Sequence, residues 1–325
     1  MGRRLLEVDR LMRVGVVFPG QGSQVVGMGV DAAENAPAAR ALFDRAADVL
    51  GYDLLGLQKG GPEEKLRETL YSQPAIFATN VALCTAVGEA LAPVVSAGHS
   101  FGELCSLTIG KALSFSEALR VVDERGKAMQ HAADLAPGGM TAVLGLDAER
   151  VRAVADAVRA KTGARVQLAN FNSPTQIVIS GDLDAVREAG DAMLEAGAKR
   201  VVPLNVSGAW HSALMEPAVD RFRAAVDAAA FSLPAFDVVS NVDAQPYRDV
   251  ASIRTNLVRS ITDEVLWHAT AERLLTYGLD LVVEFGASPV LGPLMKRLPG
   301  APDVMNVTDH AGVQKLRARL EGVTA

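Results

Sequence analysis

The chain has 325 residues, 49% of them hydrophobic, a formal charge of −6 and two cysteines, Cys84 and Cys105. That length suits one large domain or a core carrying a smaller insert, and the hydrophobic content excludes global disorder. With no basic tract to offset the negative balance, broad nucleic-acid binding is excluded, and five histidines without zinc-ligand spacing offer no metal framework.

In chain order, residues 1–13 read as a loose extension rather than an export signal, because Glu7, Asp9 and Arg10 interrupt the apolar run. Val14–Phe18 is a continuous apolar run of the kind buried on both faces of a parallel sheet. Helices are predicted over 35–49, 62–69 and 74–91. The apolar region Val81–Val95 contains Glu89 and Pro93 and falls short of a membrane span. A strand at Pro93–Ala97 leads into a turn, and a long helix is predicted from Glu103 onward. Residues 139–207 then change rhythm: strand Met140–Leu144, helix Ala148–Ala160, strands Arg165–Leu168 and Gln176–Ser180, helix Leu183–Glu195 and strand Arg200–Val206. The two middle strands are joined through a turn-rich connection, Asn170–Pro174. This βαββαβ order is the split pattern of a ferredoxin-like sheet. Strands at Phe236–Ser240, Leu281–Phe285 and Val304–Val307 return to the strand–helix alternation of an α/β body with a mainly parallel sheet. The expected division is a large α/β body, 1–138 and 208–325, with a small inserted subdomain, 139–207, and a cleft between them.

The turn Gly98-His99-Ser100-Phe101-Gly102 carries the chemistry. A serine flanked by glycines between strand and helix is how a nucleophile elbow is built, since the turn leaves no room for a neighbouring Cβ. The alternative is an ordinary glycine-rich turn. A serine hydroxyl needs a base, and His211, in the loop Asn205–Ser212 after a strand, is the candidate. His131 and His310 read as surface residues, His268 as structural, and His99 as diverging from its neighbour. Pro19-Gly20-Gln21-Gly22-Ser23-Gln24 follows the first strand; it is either a plain tight turn or the source of an oxyanion-hole N–H at Gln21, with Phe101 supplying the other. Arg125 on a charged helix is either solvated or, if that helix begins at the elbow, turned back to hold a substrate carboxylate.

In order along residues 14 to 300, these segments resemble the malonyl-CoA:acyl-carrier-protein transacylase family. The likeness rests on Phe18–Gln24, Ser72-Gln73-Pro74-Ala75, Gly98–Glu103, Arg125-Gly126 with Met129-Gln130, Asn172-Ser173-Pro174, Val206-Ser207, His211-Ser212 and Leu214-Met215. The resemblance implies a hydrolase-like α/β core with an inserted ferredoxin-like subdomain. It also implies malonyl transfer from malonyl-CoA to the phosphopantetheine thiol of acyl carrier protein, in fatty-acid biosynthesis. Ser100 would carry the malonyl group and His211 act as base. Gln21 and Phe101 would form the oxyanion hole, and Arg125 would bind the carboxylate. Asn172, Met129 and Trp210 would line the acyl site, and a backbone carbonyl at Ser260 would orient the histidine. No metal or cofactor is expected beyond the CoA thioester as substrate.

The sequence departs from the family pattern at Trp210, at Phe101 and in Glu264-Val265-Leu266-Trp267. The first two would narrow the acyl pocket against methylmalonyl. Lys199 and Arg200 with Lys296 and Arg297 are the expected carrier-protein contacts, on a cytoplasmic monomer. A polyketide loading acyltransferase, a serine thioester hydrolase and a non-catalytic carrier-binding module are the rival readings. An intact Ser100–His211 pair speaks against the last.

Overall fold

The apolar runs of the sequence become two separate sheets in the computed structural model, which describes residues 12–322. Residues 1–11 of the expected loose extension lie outside the described residues; Arg13 is tied down, its backbone N–H donating to Asp280 Oδ2 at 2.8 Å. The strands are β1 (Val14–Phe18), β2 (Pro93–Gly98), β3 (Gly138–Leu144), β4 (Val166–Ser173), β5 (Gln176–Asp182), β6 (Arg200–Pro203), β7 (Asp237–Val239), β8 (Leu281–Phe285) and β9 (Asp303–Val307).

The large sheet has the order β7-β2-β1-β8-β9, and every pairing in it is parallel. Both faces are covered, which explains why its strands read as unbroken apolar runs. Val14, Val16 and Phe18 of β1, with Leu281, Val283 and Phe285 of β8, enter one core with the helix Thr69–Val87. Val17, Val282, Val95 and Ala97 enter another with Trp267, Ala271 and Leu274 of the helix Trp267–Leu275. Each such fully buried aliphatic side chain contributes roughly 1.5–3 kcal/mol.

The small sheet has the order β4-β5-β3-β6 and is antiparallel throughout, the strand order of a ferredoxin-like unit. Val143, Leu168, Ile177 and Ile179 pack under the helices Ala148–Thr162 and Leu183–Glu195. Met140, Ala142 and Val178 alternate to the opposite face and join the large core. The insert therefore rests its second face on the body. Among the described residues no helix is long and apolar enough to cross a membrane.

Several expected boundaries change, each for a tertiary reason. The helix expected over 74–91 begins at Thr69 and ends at Val87, with Pro74 inside it. Its first turn, which a proline-start reading omits, is held by Gln73 Nε2 donating to Thr69 Oγ1 at 2.8 Å. The helix expected over 62–69 shortens to Glu63–Arg67. The connection Asn170–Pro174 is mostly strand: Asn170 and Phe171 pair with Val178 and Ile177 of β5. On their other side Phe171 N–H donates to Val265 O and Val265 N–H to Ala169 O, so turn-prone residues are pinned from two directions. The strand expected through Val206 stops at Pro203, where pairing with β3 ends. Lys296 and Arg297 lie just past the short helix Gly292–Met295 rather than in it.

Candidate active site

The elbow is built as its glycines require. Ser100 has φ 55°, in the left-handed region that a non-glycine residue occupies only under constraint. A Cβ on Gly98 would stand 1.9 Å from the Gly102 carbonyl carbon, and one on Gly102 would stand 2.4 Å from Phe18 O. Neither position has room for a side chain. The helix after the elbow is short, Gly102–Ile109. The expected long helix breaks at Gly110 and Lys111, the latter at φ 62°, and a new helix starts at Phe115 behind a Ser114–Glu117 capping box. Arg125 belongs to this second helix, so its aim at the cleft comes from packing and not from continuity with the elbow.

Ser100 Oγ lies 2.8 Å from His211 Nε2. His211 also has positive φ, 58°, and is 3% exposed. Burial first, then the positive charge of Arg125, then His99, push its pKa down to about 3, which leaves a neutral imidazole able to accept the serine proton. Its Nδ1 is buried with no partner at hydrogen-bonding geometry among the described residues. The backbone carbonyls of Ser260 and Asp263 are the groups at the ring that favour its protonated form.

Arg125 is 2% exposed, which removes the solvated-face reading. Nη2 donates to Ser100 Oγ at 3.2 Å and Nη1 to Gln73 Oε1 at 2.8 Å. Burial draws its pKa down to about 10, opposed by Glu103, so it stays charged at neutral pH. Gln73 continues the chain: Nε2 donates to Thr69 Oγ1, and Thr69 Oγ1 donates to Gln21 Oε1 at 3.2 Å. The guanidinium and the loop after β1 are thus joined through the first turn of the helix Thr69–Val87. Met129, fully buried, accepts from Gln73 Nε2 through its sulfur at 3.5 Å.

His99 reaches the insert, where its Nε2 meets Asn172 Oδ1 at 3.0 Å. Burial pushes the His99 pKa down to about 4. Phe101 is buried beneath the Arg125 guanidinium, 5.9 Å from its ring centroid. Trp210 is 4% exposed, with its indole packed on Gly208, and its Nε1 has no hydrogen-bond partner among the described residues. Of the sequence-predicted site residues, Ser100, His211, Arg125 and Phe101 meet directly. Gln21 and Met129 join through Gln73, and Asn172 through His99. Lys199, Arg200, Lys296 and Arg297 are exposed.

Three residues around Ser100 and Arg125 escaped the sequence reading: Gln73, Thr69 and Asn241, whose Oδ1 accepts from Ser100 N–H at 3.1 Å. Gln73 was visible as part of Ser72-Gln73-Pro74-Ala75, without a role. Asn241 follows β7 at the carboxyl edge of the parallel sheet, beside the strand that feeds the elbow, and that placement was the available signal.

The model of the acyl transferase domain family matches residues 16–306. The chain is 40% identical over 304 residues to the malonyl CoA-acyl carrier protein transacylase of Haemophilus influenzae, covering 93% of this chain and 97% of that one. It is 38% identical over 305 residues to the enzyme of the same name from Bacillus subtilis, covering 94% and 96%. Among solved structures, an acyl carrier protein S-malonyltransferase from Vibrio cholerae superposes with a TM-score of 0.88 at 37% identity, covering 94% of this chain and 99% of that one. A malonyl-transacylase solved in complex with its type II polyketide acyl-carrier protein superposes with a TM-score of 0.89 at 40% identity, covering 95% and 99%.

Proposed function

This chain belongs to the acyl transferase domain family, among the malonyl CoA-acyl carrier protein transacylases, and from that premise we propose that it moves a malonyl group from malonyl-CoA to the phosphopantetheine thiol of acyl carrier protein. The observation that carries the reading is the meeting of two groups at one serine oxygen. Ser100 Oγ faces a neutral His211 at 2.8 Å and a charged, buried Arg125 at 3.2 Å. The first contact makes a nucleophile, and the second holds a carboxylate next to it.

In the proposed reaction Ser100 Oγ attacks the thioester carbonyl while His211 Nε2 takes its proton. The backbone N–H groups of Gln21 and Phe101, neither with a protein partner among the described residues, steady the oxyanion. The C–S bond breaks, the CoA sulfur leaves with the proton from His211, and a malonyl ester remains on Ser100. The carrier thiol then gives its proton to His211 and attacks the ester carbonyl; the bond from Ser100 Oγ to the acyl carbon breaks, and Oγ takes the proton back from His211. Throughout, Arg125 binds the free carboxylate; a guanidinium pinned at Nη1 by Gln73 loses little freedom in doing so. The Ser260 carbonyl favours the imidazolium that forms twice per cycle. Asn172, Met129 and Trp210 bound the acyl site, and the insert spanning 139–207 forms its second wall.

Docking through Lys199, Arg200, Lys296 and Arg297, a monomeric state and a cytoplasmic location complete the reading. Fatty-acid synthesis is the pathway first favoured. A polyketide carrier is the second reading, favoured by the likeness to a transacylase of that kind. Incubation with malonyl-CoA, with and without acyl carrier protein, followed by intact-mass analysis of both proteins, tests the scheme. A malonyl adduct on Ser100 that passes to the carrier supports it, and hydrolysis without transfer replaces it with a hydrolase.

A further inference from the structure

Beneath the elbow lies a buried polar cluster that the reaction scheme does not use. Asn241 is 1% exposed, and its side chain brackets one residue across its φ and ψ: Ser100 N–H donates to Asn241 Oδ1 at 3.1 Å, and Asn241 Nδ2 donates to Ser100 O at 3.1 Å. The residue so bracketed has φ 55°, a conformation that steric repulsion between side chain and backbone would otherwise relax. The amide is itself fixed. Glu103, also 1% exposed, accepts at Oε2 from the Asn241 backbone N–H at 2.8 Å and from Asn241 Nδ2, and at Oε1 from the Tyr247 hydroxyl. A carboxylate is an acceptor only, so it forces the NH₂ end of the Asn241 amide toward itself and leaves Oδ1 facing Ser100 N–H.

We infer that Asn241 is a positioning residue for the nucleophile, locking Ser100 in its left-handed conformation, and that Glu103, steadied by Tyr247, sets the direction of the Asn241 amide. Two consequences follow. The Ser100 N–H is occupied and turned into the protein, so it is not an oxyanion donor, and that work falls to Phe101 and Gln21. The elbow's strain is also maintained from one side by a single amide, while Gly98 and Gly102 merely permit it.

The inference rests on Ser100 being the acylated residue, so the test measures the rate of Ser100 malonylation by rapid-quench intact mass in the full chain, with wild type in parallel. In Asn241→Ser the acylation rate constant at saturating malonyl-CoA should fall about tenfold or more, while the half-saturating concentration stays within about threefold, since the lesion lies behind the nucleophile and not in the binding cleft. An unchanged rate constant beside a normal wild-type adduct overturns the bracket alone. A fall carried wholly by weaker binding does the same. Absence of the wild-type adduct overturns the reading of function and the bracket with it. Should Asn241→Ser not fold, as judged by loss of its melting transition, a reversal pair decides. Asn241→Asp sets two carboxylates together and should cost more than Asn241→Ser. Adding Glu103→Gln gives the new carboxylate a donor and should restore about tenfold of the lost rate by re-aiming one oxygen at Ser100 N–H. A general stabilising role predicts that the two changes add; failure of the pair to recover overturns the inference.

Discussion

The two sheets both reach the site, but they hold their residues in different ways. From the parallel sheet and its helices come Ser100, bracketed by Asn241, and Arg125, pinned by Gln73. Arg125 is buried and Ser100 half-buried, and each is held by a side chain that is itself hydrogen-bonded. From the antiparallel insert come Asn172, which meets His99 at 3.0 Å, and Gln167, whose Nε2 meets His211 O at 3.4 Å. Both project from β4, and both reach the body through one contact or two. The only ion pair joining the insert to the body among the described residues is Arg152 with Glu264, half of it well exposed. In the proposed reaction the body would fix the groups that make and break bonds, and the insert would supply a wall that acyl groups meet. Loss of a body residue should abolish chemistry, whereas loss of an insert residue should tune it.

The sharpest way to break this division is at the reacting pair. Ser100→Ala should leave no malonyl adduct by intact mass, and His211→Ala should slow acylation by roughly 10²–10⁴-fold, as for a lost general base. Wild-type burst kinetics in the histidine variant would move the base elsewhere.

Next comes Arg125. Arg125→Ala should lose malonyl transfer and gain relative activity with acetyl-CoA, since a carboxylate without its partner is costly in a closed cleft. The same change carries a pH signature. The guanidinium charge is one of the causes that hold His211 below its usual range, at about 3. Its removal raises the histidine pKa toward 6.5, so more imidazolium is present at a given mildly acidic pH. The acid limb of the acetylation rate should therefore move to higher pH in Arg125→Ala. A limb that stays in place would show that Arg125 does not set the histidine, leaving burial and His99.

For the insert, Asn172→Ala should lower malonylation by less than about tenfold, because His99 then keeps its place through burial while losing one hydrogen bond. A loss as large as that of His211→Ala would erase the contrast between the two sheets.

Much of this was legible in the sequence because parallel strands buried on both faces read as apolar runs and an elbow needs glycine on either side. Val14–Phe18 and Leu281–Phe285 match their strands residue for residue. What was not legible depended on contacts distant in sequence. Asn170–Asn172 looked like a turn until Val265 and β5 were seen on either side of it. The charged neighbours of Arg125 left it open between a solvated face and the cleft, and the tertiary packing of its helix, against Thr69–Val87 among others, is what buries it. The pairing of Asn241 with Ser100 spans 141 residues, and no local pattern announces such a contact.

The smallest effect is expected at the surface, where the two regions would share one partner. Lys296 and Arg297 stand on the body, Lys199 and Arg200 on the insert; all four are exposed, and none is in an ion pair among the described residues. Acyl carrier proteins are acidic, and this chain carries −6, so whole-molecule attraction is unfavourable and docking requires a local positive patch. Lys296→Glu with Arg297→Glu should raise the apparent KM for carrier protein while Ser100 malonylation by malonyl-CoA stays unchanged. The helix before them is capped by Glu284, which accepts from the N–H groups of Val290, Leu291 and Gly292, so its fold does not depend on the substituted charges. The KM effect should shrink as salt rises, because exposed charges are screened within about 10 Å at 0.1 M. Reversing Lys199 and Arg200 should act independently if carrier protein bridges both regions, the two changes adding in free energy. If only the body pair moves the KM, the insert takes no part in docking and its role ends at the acyl wall.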